Sequence, residues 1–85
     1  MIIGKALYVF RKNLLKLTQN ELSQRINVTK CDISLIEHSF PVSPGVYNRY
    51  ERYFERLGKQ YGYSIEEFAK VMITGNPDAD IYIYV

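Results

Sequence analysis

Cys31 and His38 are the one pair of residues whose types could provide a nucleophile and its base. Such a pair needs a hydrogen bond of about 3 Å between the thiol and the imidazole. The two residues are seven positions apart in a predicted helix, so they share a face but lie about 10.5 Å apart along the axis. We therefore expect no enzymatic activity. A single His and a single Cys also predict no metal site, and we expect no cofactor of any kind.

The face that contains these two residues favours a different chemistry. Lys30, Ser34 and Leu35 share it, because they follow one another at helical spacings of three and four. Short polar groups and an ammonium on the outer face of a helix can hydrogen-bond base edges in the major groove of DNA, which is about 12 Å wide and accepts one helix. This helix needs neighbours that hold it in place.

Five helices are predicted from the apolar periodicity and the turn residues. They cover residues 3–16, 18–26, 29–38, 43–57 and 64–74. The first has an apolar stripe at Ile3, Leu7, Phe10, Leu14 and Leu17, and the fourth ends before Gly58. Residues 81–85 are β-prone. The fold class is therefore all-α, with five helices and a short β-prone C-terminal tail.

Capping residues mark the helix starts. Thr18 with Glu21 and Ser64 with Glu67 have the spacing of a capping box, in which each side chain bonds the other residue's backbone N–H. Thr29 with Asp32 repeats the spacing with a shorter acid. Asn27 follows the second helix, where its tolerance of the left-handed conformation would end that helix.

Two short capped helices joined by a turn of about three residues form a helix-turn-helix. The run from Leu17 to Glu37 resembles the Cro/Xre-type, phage-repressor-like domains, whose pattern is LTQ-x-ELA-x-x-hGVS-x-x-x-h-S-x-hE-x-G, with h apolar. The matching segments are Leu17-Thr18-Gln19, Glu21-Leu22-Ser23, Ile26-Asn27-Val28-Thr29, Ile33-Ser34 and Ile36-Glu37. The resemblance extends to roughly residues 3–73 and implies a five-helix repressor-like fold that binds double-stranded DNA.

Three positions depart from that family by replacing a glycine. Asn27 stands at the turn glycine, Ser39 follows the third helix, and Lys16 occupies a position where glycine is common. The segment 40–63 is also longer and richer in tyrosine. These departures concern the connection between the third and fourth helices rather than the helix-turn-helix itself.

The resemblance also implies roles for individual residues. Lys30, Cys31 and Ser34 would face base edges, with Leu35 against a thymine methyl. Gln19 would bond a phosphate while bracing the recognition helix. The family's basic residue on the first helix, which pairs with the Glu closing the third, maps onto Lys12 and Glu37.

Further contacts follow from charge and position. Asp32 is either a helix-capping acid, the better interpretation, or an acceptor for cytosine N4. The predicted DNA backbone contacts, besides Gln19, are Thr29, Arg11, Lys12, Lys16, Arg25 and His38.

The charge distribution fits a polyanionic partner, although chance asymmetry explains it about equally well. Residues 1–63 contain ten of the eleven Lys and Arg and five acids, a balance of +5, whereas residues 64–85 have a balance of −3.

The first residues lack a signal-peptide pattern and no stretch reaches 18 apolar residues, so we expect neither secretion nor a membrane contact. A lone cysteine suits a reducing compartment, and we expect a cytoplasmic, nucleoid-associated protein.

The predicted organisation is a DNA-binding domain over residues 1–75, with the helix-turn-helix at about 18–38, and a tail over 76–85. The tail would pair with the same segment of a second subunit or with Met1–Ile3, and so help form a homodimer; disorder is the competing interpretation.

The predicted function is a sequence-specific transcriptional repressor that binds double-stranded DNA as a homodimer. The alternative is an antitoxin-like or adaptor module that binds a protein through the tyrosine-rich surface of the fourth helix and through the tail. Tyr47, Tyr61 and Tyr63 would be semi-exposed and, if they cluster, would suit such an interface.

Overall fold

The computed structural model describes all residues from Met1 to Val85 and confirms an all-helical fold of five helices. The elements are α1 (Gly4–Val9), which continues directly as a π-helix (Phe10–Leu15), α2 (Gln19–Ile26), α3 (Lys30–Glu37), α4 (Pro44–Gln60) and α5 (Ile65–Thr74). None of these helices combines the length and the apolar composition needed to cross a bilayer.

The first helix differs from the regular helix predicted over residues 3–16. Its second half is π-helical, which is rare and usually short because the wider turn weakens packing along the axis. Leu7 and Phe10 are fully buried, as the apolar stripe predicts. The π-helix ends at Lys16, whose φ of 56° reverses the chain toward α2.

The predicted two-helix unit forms with its turn intact. Thr18 and Glu21 make the reciprocal capping box at the start of α2. Asn27 ends that helix in the left-handed conformation, with φ 56°. At the start of α3 the Thr29 hydroxyl accepts from the Asp32 N–H at 3.1 Å, but the Asp32 side chain makes no return bond, so the box there is only half formed.

Helix α4 runs to Gln60, past the predicted end at Gly58. Gly58 is buried within α4, where a Cβ would overlap the ring of Phe68. Glycine is present because another helix approaches closely, and not because the helix stops. Pro44 occupies the first turn as predicted, whereas the Ser43 side chain makes no capping bond.

The core lies between α1, α4 and α5, with α3 against its side. Phe10, Phe54 and Phe68 form an aromatic centre, with ring centroids 5.0 Å apart for Phe10–Phe54 and 4.7 Å for Phe54–Phe68. Ile33 and Ile36 bring the inner face of α3 into the same cluster. The side of α3 that is left outside this cluster is the predicted recognition face.

The tail pairs within the chain, which is the second of the two predicted pairings. The Ile3 N–H donates to the Ile83 carbonyl at 2.7 Å, and the Val85 N–H donates to the Met1 carbonyl at 2.9 Å. Ile2 and Tyr84 form an antiparallel bridge between them. The buried Ile83 side chain joins the core, so the pairing also covers apolar surface.

Candidate nucleic-acid interface

The outer face of α3 is free of contacts that would cover it. Lys30, Cys31 and Leu35 are exposed, and Ser34 is half-buried. The neighbouring positions Ile33 and Ile36 are fully buried, so the helix presents two distinct sides. The four residues predicted to contact bases therefore stand together on one accessible surface.

A buried ion pair holds the C-terminal end of α3. The Glu37 carboxylate receives two hydrogen bonds from Arg11, Nε to Oε2 at 2.8 Å and Nη2 to Oε1 at 2.9 Å. The Arg11 side chain is 5% exposed and that of Glu37 is 1% exposed. Hydrogen bonding to Glu37 raises the pKa of Arg11, so the guanidinium stays charged. A two-point guanidinium–carboxylate contact fixes orientation as well as distance.

The predicted pairing of Lys12 with Glu37 is wrong. Lys12 is exposed, and Arg11 takes its place. Arg11 lies four residues after buried Leu7, on the side of the first helix that meets α3, whereas the next residue is turned toward solvent. Arg11 also donates from Nη1 to the Leu17 carbonyl at 2.9 Å. Each of its three guanidinium nitrogens donates one hydrogen bond within the chain, so its part in the structure is to position α3.

Two further side chains complete the environment of the Glu37 carboxylate. The Tyr50 hydroxyl donates to Oε2 at 2.6 Å and lies 3.0 Å from the Leu7 carbonyl. Burial, together with the negative charge of Glu37, raises the pKa of Tyr50 far above its ordinary value, so the hydroxyl keeps its proton and remains a donor. Gln19 Nε2 donates to Oε1 at 3.3 Å. The structure therefore confirms the bracing contact predicted for Gln19.

A surface cleft of about 520 Å³ opens beside this cluster at the N-terminus of α2. Its lining residues are Arg11, Lys12, Lys16, Leu17, Thr18, Gln19, Asn20 and Lys30. It brings together five of the residues predicted to contact DNA, and no carboxylate lines it. A helix N-terminus adds partial positive charge and unpaired N–H groups, which favour phosphate. We call this space the α2 cleft.

Other predicted backbone contacts lie outside the α2 cleft. The Thr29 hydroxyl is engaged in capping α3. His38 is exposed at the far end of that helix, with Nδ1 2.8 Å from the Ser34 carbonyl. Arg25 lies at the opposite end of α2, where its Nη1 donates to the Tyr53 hydroxyl at 3.3 Å. These three residues therefore do not share one pocket with Gln19.

Sequence reasoning missed a second basic space around Arg25. A cleft of about 340 Å³, which we call the arginine cleft, is lined by Arg25, Ile26, Arg49, Arg52, Tyr53 and Arg56. The sequence does contain one signal for this cleft, because the three arginines of α4 are spaced by three and four and therefore share one face of the helix. Their convergence with Arg25 depends on how α2 packs on α4, which no local pattern contains.

The tyrosines of α4 do not form the exposed surface that the alternative function requires. Tyr47, predicted to be semi-exposed, is buried beneath the paired chain ends. Its hydroxyl accepts a hydrogen bond from the Ile2 N–H at 2.6 Å. Tyr50 is buried against Glu37, as its place on the apolar stripe predicts. Tyr61 and Tyr63 lie after the helix and stack on the Phe68 ring; Tyr61 is exposed and Tyr63 is half-buried, as predicted.

No group of three or more His, Cys, Asp or Glu side chains is arranged to hold a metal ion. Comparison of the chain with protein-family models, with curated proteins and with solved structures finds no match.

Proposed function

We propose that this protein binds double-stranded DNA in a sequence-specific manner and acts as a transcriptional repressor. The observation that carries the proposal is the exposed face of α3, with Lys30, Cys31, Ser34 and Leu35, on a helix anchored at its other end by the Arg11–Glu37 pair. Recognition helices read bases mainly with residues near their N-terminus, which is where Lys30 and Cys31 lie.

The backbone supports the resemblance to Cro/Xre-type domains on which the proposal partly rests. Only three non-glycine residues have positive φ: Lys16 at 56°, Asn27 at 56° and Ser39 at 61°. Asn27 and Ser39 stand at the two glycines of the family pattern, and Lys16 stands at a position where glycine is common in that family. Left-handed backbone is costly for most residues other than glycine, so unrelated packing does not readily account for three such coincidences.

The α2 cleft supplies the phosphate contacts of the proposal. Lys12 and Lys16 would place ammonium groups against the DNA backbone, and Gln19 would donate its backbone N–H and the second hydrogen of Nε2 in the same space. Because these contacts release counterions, affinity should fall steeply as salt rises. A homodimer would place two α3 helices about 34 Å apart on a pseudo-palindromic site. Such a protein would work in the cytoplasm, at the nucleoid.

Selection from a pool of random duplexes tests the proposal directly and yields the binding site. On the selected site we expect Lys30→Ala to weaken binding by about 1–3 kcal/mol, roughly five- to 150-fold. Gln19→Ala should weaken binding to all duplexes. Lys5→Ala, which removes an exposed charge from α1, is the matched control and should leave affinity nearly unchanged.

Two outcomes would overturn the proposal. Selection that enriches no sequence, with no binding of any duplex at low salt, would exclude DNA recognition by this fold. Equal losses for Lys30→Ala and the Lys5→Ala control would remove α3 from the interface. Sedimentation of the complex would give the stoichiometry, with two chains per selected site expected.

A further inference from the structure

The arginine cleft concentrates positive charge without any acid in its lining. Four of its six lining residues are arginines, and the other two are Ile26 and Tyr53. The neighbouring cleft, of about 370 Å³, contains Arg52, Arg56, Glu55 and Lys59. Its one acid, Glu55, bonds Lys59 at 3.1 Å. None of the four arginines forms a salt bridge within the chain.

Neutral groups hold three of these arginines at the cleft. Arg25 Nη1 donates to the Tyr53 hydroxyl at 3.3 Å, and Arg49 Nη1 donates to the Asn27 carbonyl at 2.9 Å. The Arg56 guanidinium lies over the Tyr53 ring, 5.3 Å from its centroid. A guanidinium has five N–H donors, so each arginine keeps several donors free after these contacts. The cleft thus presents several oriented donors and four like charges at a small opening.

The three arginines of α4 are spaced so that they can face the phosphate backbone of a nucleic-acid strand. Arg49, Arg52 and Arg56 follow at steps of three and four, which puts them on one side of α4 over about 10.5 Å of its axis. One strand of a duplex carries a phosphate about every 3.4 Å along the helix axis. The strand also winds around that axis, so neighbouring phosphates lie farther apart than this rise, and the three arginines could face about two of them. Guanidinium groups bind phosphate in a two-point geometry that suits this role.

A protein partner fits this cleft less well. Hot spots at protein interfaces are mostly Trp, Tyr and Arg, and they lie in well-packed pockets at the centre from which water is excluded. The large apolar side chains that the structure exposes all lie elsewhere: Met1, Tyr8, Leu35, Phe40, Tyr61, Tyr82, Tyr84 and Val85. The apolar residues of the cleft, Ile26 and Tyr53, are only half-buried and already pack against the core.

We infer that the arginine cleft is a second nucleic-acid-binding surface, which holds phosphodiester backbone. It shares no lining residue with the α2 cleft and lies at the opposite end of α2. It uses charge and shape alone, so it reads no sequence. This site does not depend on base reading by α3, and each of the two can fail without the other.

The test compares full-length variants by fluorescence anisotropy, with a random-sequence duplex of about 30 base pairs titrated between roughly 50 and 200 mM salt. Arg52→Ala/Arg56→Ala removes two exposed arginines of the cleft. We expect affinity at the low-salt end to fall at least about tenfold. The slope of log affinity against log salt should fall by about two, one for each phosphate left without its arginine.

Lys5→Ala/Lys70→Ala is the matched control, since it removes the same charge from α1 and α5. Its affinity should change by less than about threefold, with the slope preserved. Circular dichroism and thermal unfolding verify the fold of each variant, and Arg52→Gln/Arg56→Gln replaces the alanine pair if that pair does not fold.

Arginine-cleft variants that bind the duplex as the lysine control does would overturn the inference. It would also be overturned if a poly-glutamate peptide bound the wild type and lost affinity in the arginine variant while duplex binding stayed unchanged, because the partner would then be an acidic protein. The Gln19→Ala/Lys30→Ala variant keeps the two proposals distinguishable. Loss of binding only in the arginine variant, on the random duplex and on a selected site alike, would retain this site and refute the function proposed for α3.

Discussion

The two ends of α3 are built in opposite ways. At the C-terminal end, Ile36 and Glu37 are buried, and the carboxylate bonds Arg11, Tyr50 and Gln19. At the N-terminal end, Lys30 and Cys31 are exposed, and the cap rests on one hydroxyl. A helix held at one end and open at the other keeps its orientation while its open end stays accessible. This division of roles is what insertion into a groove requires.

The largest effect is expected at the fixed end. Arg11→Ala leaves the buried Glu37 carboxylate without its cation and should lower the free energy of unfolding by about 3–5 kcal/mol. Lys12→Ala, one residue away and exposed, should change it by less than about 0.5 kcal/mol. Urea denaturation of both variants measures the difference. Equal losses would mean that Arg11 stabilises the fold no more than the exposed Lys12 does, and would refute the anchoring of α3 by the Arg11–Glu37 pair.

A smaller loss is expected where α1 begins against the same end. Gly4 is buried there, and a Cβ would overlap the carbonyl oxygens of Ile36 and Glu37. Gly4→Ala should therefore cost about 1–3 kcal/mol, because backbone must move. Gly45→Ala is the control, since the space around Gly45 is open, and it should leave stability equal or slightly higher. Thermal unfolding that ranks the two variants the other way would refute the close approach of α1 and α3.

The smallest effect is expected at the open end. Thr29→Ala removes the hydroxyl that accepts from the Asp32 N–H and should cost about 1 kcal/mol, which is roughly 4–8 °C in Tm for a domain of this size. Thr29→Ser keeps the hydroxyl and should retain most of the stability. If both variants lose the same free energy of unfolding, the Thr29 methyl group and not the capping hydroxyl stabilises this end of α3. The contrast between the two ends of α3 would then be weaker.

Local signals predicted the elements of the fold well. The capping box at Thr18, the left-handed Asn27 and the stripe through Leu7 and Phe10 each depend on residues within one or two turns, and all three are confirmed. The end of α4 was mispredicted at Gly58 because glycine has two uses. It can stop a helix, or it can let another helix approach, and the choice between them lies in the position of Phe68.

Contacts between distant parts of the chain were predicted less well. The partner of Glu37 was placed one residue away from Arg11, since the prediction followed a family pattern rather than the face that meets α3. Burial of Tyr47 depends on a hydrogen bond to Ile2, 45 residues away. The arginine cleft likewise depends on the packing of α2 against α4. Such pairings need tertiary geometry, which periodicity does not contain.

The pairing of the two chain ends links the tail mechanically to α3. Ile3 is bonded to Ile83, and the next residue, Gly4, donates its N–H to Ser39 Oγ at 2.8 Å just beyond α3. Local opening of this pairing would expose the amides of Ile3 and Val85 to hydrogen exchange as one cooperative unit. It would also loosen the support under the last turn of α3. Tension on residues 81–85 would thus reach α3 through Ile3 and Gly4 at the start of α1.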